Sequence, residues 1–215
     1  MEKETKPAET VSELIAEISG NPHFRTLPDI LAREGIDGNL FMTRMRDRFE
    51  HFALEHAGDN EELKEESYHY ILPAIAVYKT LLTYTENAPE LFREMWLNGA
   101  KLGAEYLRQK ARDEAFLQNW IPSVTPKKTE TGAFLFRIDH VTDHETEYHV
   151  LRCPYVQFCQ AYGCPEIITV FCDSDDISFG RIHPRLLWGR TKTIGRGDPY
   201  CNFKYTLLEE RQEET

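Results

Sequence analysis

Residues 153–205 read CPYVQFCQAYGCPEIITVFCDSDDISFGRIHPRLLWGRTKTIGRGDPYCNFKY. Proline is tolerated in the first turn of a helix, so Pro154 and Pro165 each open one, and Gly163 separates the two. The spacing predicts helices over 154–162 and 165–177. After Pro184 the period changes to two. Residues 186–194 and 200–208 read as strands, and GRGDP (195–199) between them signals a hairpin. Upstream, Phe134, Phe136 and Ile138 alternate with Leu135, Arg137 and Asp139, as a strand with one buried face would. A second strand is expected over 147–153. The module is therefore strand–strand–helix–helix–strand–strand, built on a small antiparallel sheet.

Working outward toward the N-terminus, the pattern is helical. Thr10 or Ser12 can cap a short helix that Gly20 ends, and Leu27, Ile30 and Leu31 form a second stripe. Asn39 is the expected cap of a longer helix through Leu40, Phe41, Met45, Phe49, Phe52 and Ala53. A further helical pattern over 60–84 contains Pro73, which predicts a kink or a break. Pro89 suits the first turn of a helix continuing through Leu91, Phe92, Met95, Trp96, Leu102, Tyr106 and Leu107. The fold class is α+β, with a helical N-terminal half followed by a small antiparallel sheet with two packed helices. The expected organisation is a disordered tail (1–9), a helical region (10–120), a linker (121–132), an α+β module carrying the site (133–208) and an acidic tail (209–215).

A chain of 215 residues with 41% hydrophobic content can bury a core, and its formal net charge of -11 disfavours nucleic acid and anionic membrane surfaces as partners. The charged opening MEKETKPAET is no signal peptide, and no apolar run is long enough to cross a bilayer. Five cysteines, an odd number, fit reduced thiols and a cytoplasmic location better than a disulfide framework. The expected partner is a small-molecule substrate, with homo-oligomer formation left open and no cofactor.

All five cysteines (153, 159, 164, 172 and 201) fall in the quoted stretch. Pro165 places Glu166 near the positive end of a helix. Cys172 follows on that helix, with Asp175 and Asp176 three and four residues further on and so on the same face. A carboxylate alone raises a thiol pKa, so activating Cys172 needs a cation, and His183 and Arg190 are the candidates. The alternative is a half-buried structural cysteine on an amphipathic helix. The cysteine spacings match no zinc knuckle, and His140 with His144 makes no recognisable metal helix, so no metal site is expected. GRGDP lacks the Gly-Lys-Ser/Thr of a phosphate loop. Arg190 and Lys192 alternate on one strand face, where they can hold a carboxylate.

The string CPE–(x5)–CDSDD–(x6)–HPRLLWGRTKTIGRGDPYCNF resembles the L-2-amino-thiazoline-4-carboxylic acid hydrolase family. Its cysteine-plus-aspartate helix, Arg-Thr-x-Thr strand and Gly-Asp-x-x-Cys-x-Phe ending carry the likeness, and YILPAIAVYKTLL (70–82) is similar to a helix in the family's N-terminal half. The resemblance spans most of residues 40–208. The arrangement is also distantly similar to 4-vinyl reductase type small-molecule-binding domains. What the resemblance implies is a hydrolase opening a cyclic amidine or thiazoline-type ring to an N-carbamoyl amino acid. On that reading Cys172 is the expected nucleophile, Asp175 the proton-transfer group and His183 a second acid/base. Arg190 anchors a substrate carboxylate, and Cys201 and Glu166 complete the substrate-binding set. The rival reading is a non-catalytic small-molecule or metal sensor using the same cysteine-lined pocket.

Overall fold

Both periods read from the sequence, helical first and two-residue later, recur in the fold, which is given by a computed structural model describing residues 20–209. The tail 1–9, the helix expected to start at Thr10 or Ser12, and residues 210–215 lie outside the described residues. The chain divides into two compact units between Met95 and Trp96.

The first unit holds α1 (Leu27–Arg33), α2 (Gly38–Glu55), α3 (Glu61–Glu66) and α4 (Leu72–Leu81). The cap of α2 is Asp37 rather than Asn39, because the Asp37 carboxylate accepts from Leu40 N at 3.0 Å and starts the helix earlier. Phe41, Met45, Phe49, Phe52 and Ala53 are buried as the stripe predicts, whereas Leu40 is 46% exposed. Each large apolar side chain so buried contributes on the order of 2 kcal/mol. The break expected at Pro73 takes a specific form. A π-helical turn, Ser67–Ile71, joins α3 to α4, and Pro73 then sits in the first turn of α4, where its missing N–H is not needed. Helix α5 (Ala88–Lys110) supplies Phe92, whose ring meets Tyr78 edge-on at 5.5 Å, and Glu94, which takes a two-pronged ion pair from Arg33 at 2.9 and 2.8 Å. Its apolar stripe fades after Trp96, since Leu102 and Tyr106 are exposed.

The second unit contains the rest of α5, then α6 (Glu114–Gln118), α7 (Trp120–Val124), β1 (Leu135–Val141), β2 (Glu145–Arg152), α8 (Pro154–Ala161), α9 (Ile168–Phe179), β3 (Leu186–Gly189) and β4 (Cys201–Leu207). A 3-10 turn, Pro165–Ile167, leads into α9. Residues 120–124, at the start of the segment read as a linker, are helical, with Trp120 and Ile121 buried. The four strands are antiparallel in the order β1-β2-β4-β3, so the last strand in sequence is an inner one.

The expected hairpin over 186–208 differs in detail. Strand β3 stops at Gly189 instead of reaching residue 194, and GRGDP lies inside a longer connection. At the stop the Asn202 Oδ1 accepts from Thr191 N at 3.0 Å and Lys192 N at 2.6 Å, taking the N–H groups a ladder would use, while Asn202 N still donates to the Lys192 carbonyl at 3.3 Å. A 3-10 turn at Ile194–Arg196 follows, ended by Gly197 at φ +95°, which favours glycine. No described helix is long and apolar enough to cross a membrane.

Candidate active site on the inner face of the sheet

Strand register sorts the side chains of the second unit onto two faces. Tyr148 pairs with Phe203, Val150 with Cys201, and Trp188 with Tyr205, so these residues share the inner face. Their rings form a continuous aromatic floor: Tyr148–Phe203 at 5.3 Å, Trp188–Phe203 at 5.2 Å and Trp188–Tyr205 at 4.8 Å between centroids. Helix α9 joins this floor through Phe179, which lies 5.6 Å from Tyr205 and 5.3 Å from Trp188.

Arg190 stands two residues beyond Trp188 and ties β3 to α9. Its Nη1 donates to Asp175 Oδ2 at 2.8 Å and its Nη2 pairs with Asp176 Oδ2 at 2.9 Å. Nη2 also donates to the Cys172 carbonyl. The guanidinium lies 5.5 Å from the Trp188 ring centroid and 5.4 Å from that of Phe203, and only 2% of the side chain is exposed. Burial alone would lower the Arg190 pKa, but Asp175 and Asp176 outweigh it and leave the pKa raised. Trp188 Nε1 donates to the other oxygen of Asp176 at 3.1 Å.

Burial pushes the Cys172 thiol up to about 11; Asp175 and Cys201 add to the rise, and Arg190 and Arg196 oppose it. The cation required for activation is thus present in Arg190, yet desolvation outweighs it and the thiol is protonated at neutral pH. Gly195 closes over this sulfur. A Cβ there would sit 2.7 Å from Cys172 Sγ and 2.7 Å from Ile168 Cγ2, so the 3-10 turn approaches α9 as closely as it does because residue 195 has no side chain. Arg196, next to it, is 43% exposed and pairs with Asp173.

The remaining thiols are all free. Cys201 is buried on the inner face, and its Sγ accepts from Ile194 N at 3.2 Å, which pins the 3-10 turn to β4. Burial raises its pKa, while that hydrogen bond lowers it. Cys153 is pushed up to about 12 by burial and interacts electrostatically with Cys201 and Cys172. Cys159 and Cys164, both fully buried, hydrogen-bond each other, which with burial raises the Cys159 pKa.

Of the six residues singled out from the sequence, four come together: Cys172, Asp175, Arg190 and Cys201. His183 does not join them. It lies just before β3, bridged to Leu186 and with its Nδ1 accepting from Arg185 N at 3.3 Å, at the opposite end of the strand from Arg190. Four residue steps lead from Leu186 to Arg190, roughly 13 Å of extended chain. Glu166 is exposed on the turn before α9, and its electrostatic influence falls on Cys159. Arg190 differs from its expected part as well. It is buried and already pairs with two carboxylates, Asp175 and Asp176, and a backbone carbonyl, in place of an open position for a substrate carboxylate.

Two tyrosines, which the residue pattern did not single out, complete the inner face. The Tyr148 and Tyr205 hydroxyls hydrogen-bond each other, and both groups sense Asp175. Burial raises both pKa values, so the pair stays protonated. Their sequence signal was only the alternation of β2 and β4.

On the outer face, Asp139, Glu147 and His149 bring one ligating atom each to within 4.8 Å of one another, the one such group among the described residues. A register shift in β1 at Asp139 turns its carboxylate toward this group. His149 is buried under Tyr200, its ring stacked at 4.2 Å. Arg137 Nη2 contacts His149 Nδ1, while Nε2 faces Asp139 Oδ2 at 3.4 Å. Arginine is only a donor, so Nδ1 is the acceptor and the proton resides on Nε2, directed at Asp139. Arg137 thus bonds both His149 and Asp139 and ties β1 to β2 on this face.

No curated protein and no solved structure matches the chain significantly. A family model does, over residues 64–205, a span containing α4, the whole sheet but its last residues, and Cys172, Asp175, Arg190 and Cys201. The protein thus belongs to the L-2-amino-thiazoline-4-carboxylic acid hydrolase family.

Proposed function

We propose that this protein is a thiol-dependent hydrolase of a small cyclic amidine or thiazoline-type C–N centre, with Cys172 as nucleophile. The observation that carries the reading is the placement of Cys172 and Asp175 three residues apart on one helix face, with Asp175 held by the buried Arg190. Family membership supplies the hydrolase class.

The chemistry follows from the protonated thiol. As sulfur bonds to the amidine carbon, the Cys172 proton passes to the Asp175 carboxylate, and the C=N π pair moves onto nitrogen, which takes that proton in turn. Collapse of the adduct expels the ring heteroatom and opens the ring. Water then attacks the carbon bound to sulfur; one of its protons goes to the expelled ring heteroatom and the other to the Cys172 sulfur as the C–S bond breaks, leaving a urea carbonyl. Arg190 positions Asp175, and Arg196 beside Gly195, 43% exposed and with N–H groups beyond those bonded to Asp173 and Thr193, holds the substrate carboxylate. Cys201 lines the site and keeps the 3-10 turn in place. His183 and Glu166 have no part in this scheme.

Incubation of the purified chain with 2-amino-thiazoline-4-carboxylate, followed by mass spectrometry, is expected to show uptake of one water. It is also expected to show no turnover in Cys172→Ala. Near-normal turnover in a folded Cys172→Ala removes the nucleophile. Absence of turnover in the wild type, together with tight retention of the intact compound, favours the rival reading as a binding domain. The burial-raised thiol is the observation on that side.

A further inference from the structure

Arg44 and Arg48 stand one turn apart on α2 and, with Asp47, His51, Phe52 and Thr83, line a pocket of about 500 Å3 within the first unit. Other charges on the same helix have partners: Arg46 reaches Glu50 at 4.0 Å, and His51 reaches Glu55 at 3.3 Å. Among the described residues Arg44 and Arg48 have no carboxylate partner, in a chain whose net charge is -11. The Arg44 guanidinium instead lies over the Tyr84 ring at 5.3 Å. Arg48 Nε is buried without a hydrogen-bond acceptor, and so is the Tyr84 hydroxyl. A buried N–H of a cation with no acceptor is costly, and two like charges one turn apart repel.

An anion in the pocket offsets the repulsion between the two guanidinium groups. We propose that this pocket binds a small oxyanion, the phosphate or carboxylate group of a metabolite, between the guanidinium groups of Arg44 and Arg48 that line it. The planar guanidinium fork matches either group. Thr83 adds no donor, because its hydroxyl is spent on the Thr80 carbonyl at 2.8 Å. Asp47 in the wall opposes the anion and limits affinity. The site uses none of the residues of the proposed reaction, so it stands or falls separately from that reading.

The test is calorimetric titration of the full chain with inorganic phosphate and, separately, with acetate, in low-chloride buffer at pH 7. One saturable site is expected, weakened about tenfold or more in Arg48→Ala through loss of charged hydrogen bonds. Asp47→Asn should tighten it. Arg48→Lys, which keeps the charge but loses the planar fork, should fall between wild type and Arg48→Ala. Tighter phosphate than acetate identifies a phosphate-bearing ligand, and the reverse order a carboxylate; both support the site. No saturable binding of either anion, or unchanged affinity in an Arg44→Ala/Arg48→Ala chain with native circular dichroism, overturns it.

Discussion

Arg190 donates to Asp175 Oδ2 at 2.8 Å while its own side chain is all but sealed from solvent. Breaking a buried pair of this kind by removing one partner costs more than forming it gained, because the remaining charge has lost its compensation. Asp175 and Asp176 are each more than a third exposed and can rehydrate, which moderates that cost.

Arg190→Lys keeps the charge but cannot reach Asp175, Asp176 and the Cys172 carbonyl together. A stability loss of about 1–3 kcal/mol is expected in urea unfolding. Loss of turnover beyond what the stability change explains is expected too, read as lower kcat with little change in KM. Wild-type kcat in the lysine variant would show that Arg190 does not position the catalytic carboxylate.

The free enzyme's thiol should be sluggish. With Cys172 held near 11, alkylation by iodoacetamide is expected to be slow at pH 7 and to rise about tenfold per pH unit until it levels off near that value. Intact-mass analysis after timed exposure, with Cys172→Ser as the blank, reads this directly. Fast labelling of Cys172 at pH 7 would contradict the burial-dominated thiol.

Stability should fall at high pH. Cys172 ionises near 11 in the folded chain and from a reference value of 9.0 when unfolded, so the unfolded state loses its proton first as pH rises. The contribution is complete below pH 9 and lost on the way to 11. Cys153, pushed up to about 12, acts in the same sense over a wider range. Unfolding midpoints at pH 7.5 and 10.5 should therefore converge partly in Cys172→Ser relative to wild type. An identical drop in both chains would remove this linkage.

Gly195→Ala inserts a methyl group 2.7 Å from Cys172 Sγ and from Ile168 Cγ2. Overpacking of this kind typically costs about 1–3 kcal/mol. The variant should combine a lower melting temperature with impaired turnover, because the displaced atom is the sulfur of the proposed nucleophile. Full activity in Gly195→Ala would mean that the turn moves freely away from α9.

Much of the fold was legible because proline, glycine and hydrophobic period act locally. Pro154, Pro165 and Gly163 marked the two helices of the second unit, and Pro73 marked the break that became a π-helical turn. The Cys172–Asp175 relation was visible for the same reason, since three residues on a helix is a fixed geometry. Convergence that depends on strand order was not visible. Tyr148 meets Tyr205 only because β4 lies beside β2, and His183 is remote only because β3 begins at Leu186 and places Arg190 at its far end. The early stop of β3 was likewise hidden, since the N–H groups just beyond it bond to a side chain, Asn202, in the facing strand.

The strand order has a bearing on assembly. β3 has one neighbour in the sheet, β4, and β4 is also what joins it to β2. Until β4 inserts, β3 has no ladder to enter, and Arg190 lacks the Phe203 side of its aromatic bed. Docking of β4 is therefore what brings Cys201 and Phe203 to Arg190 and completes the cluster around Cys172. Alkylation during refolding should then mark Cys201 and Cys172 until β4 docks.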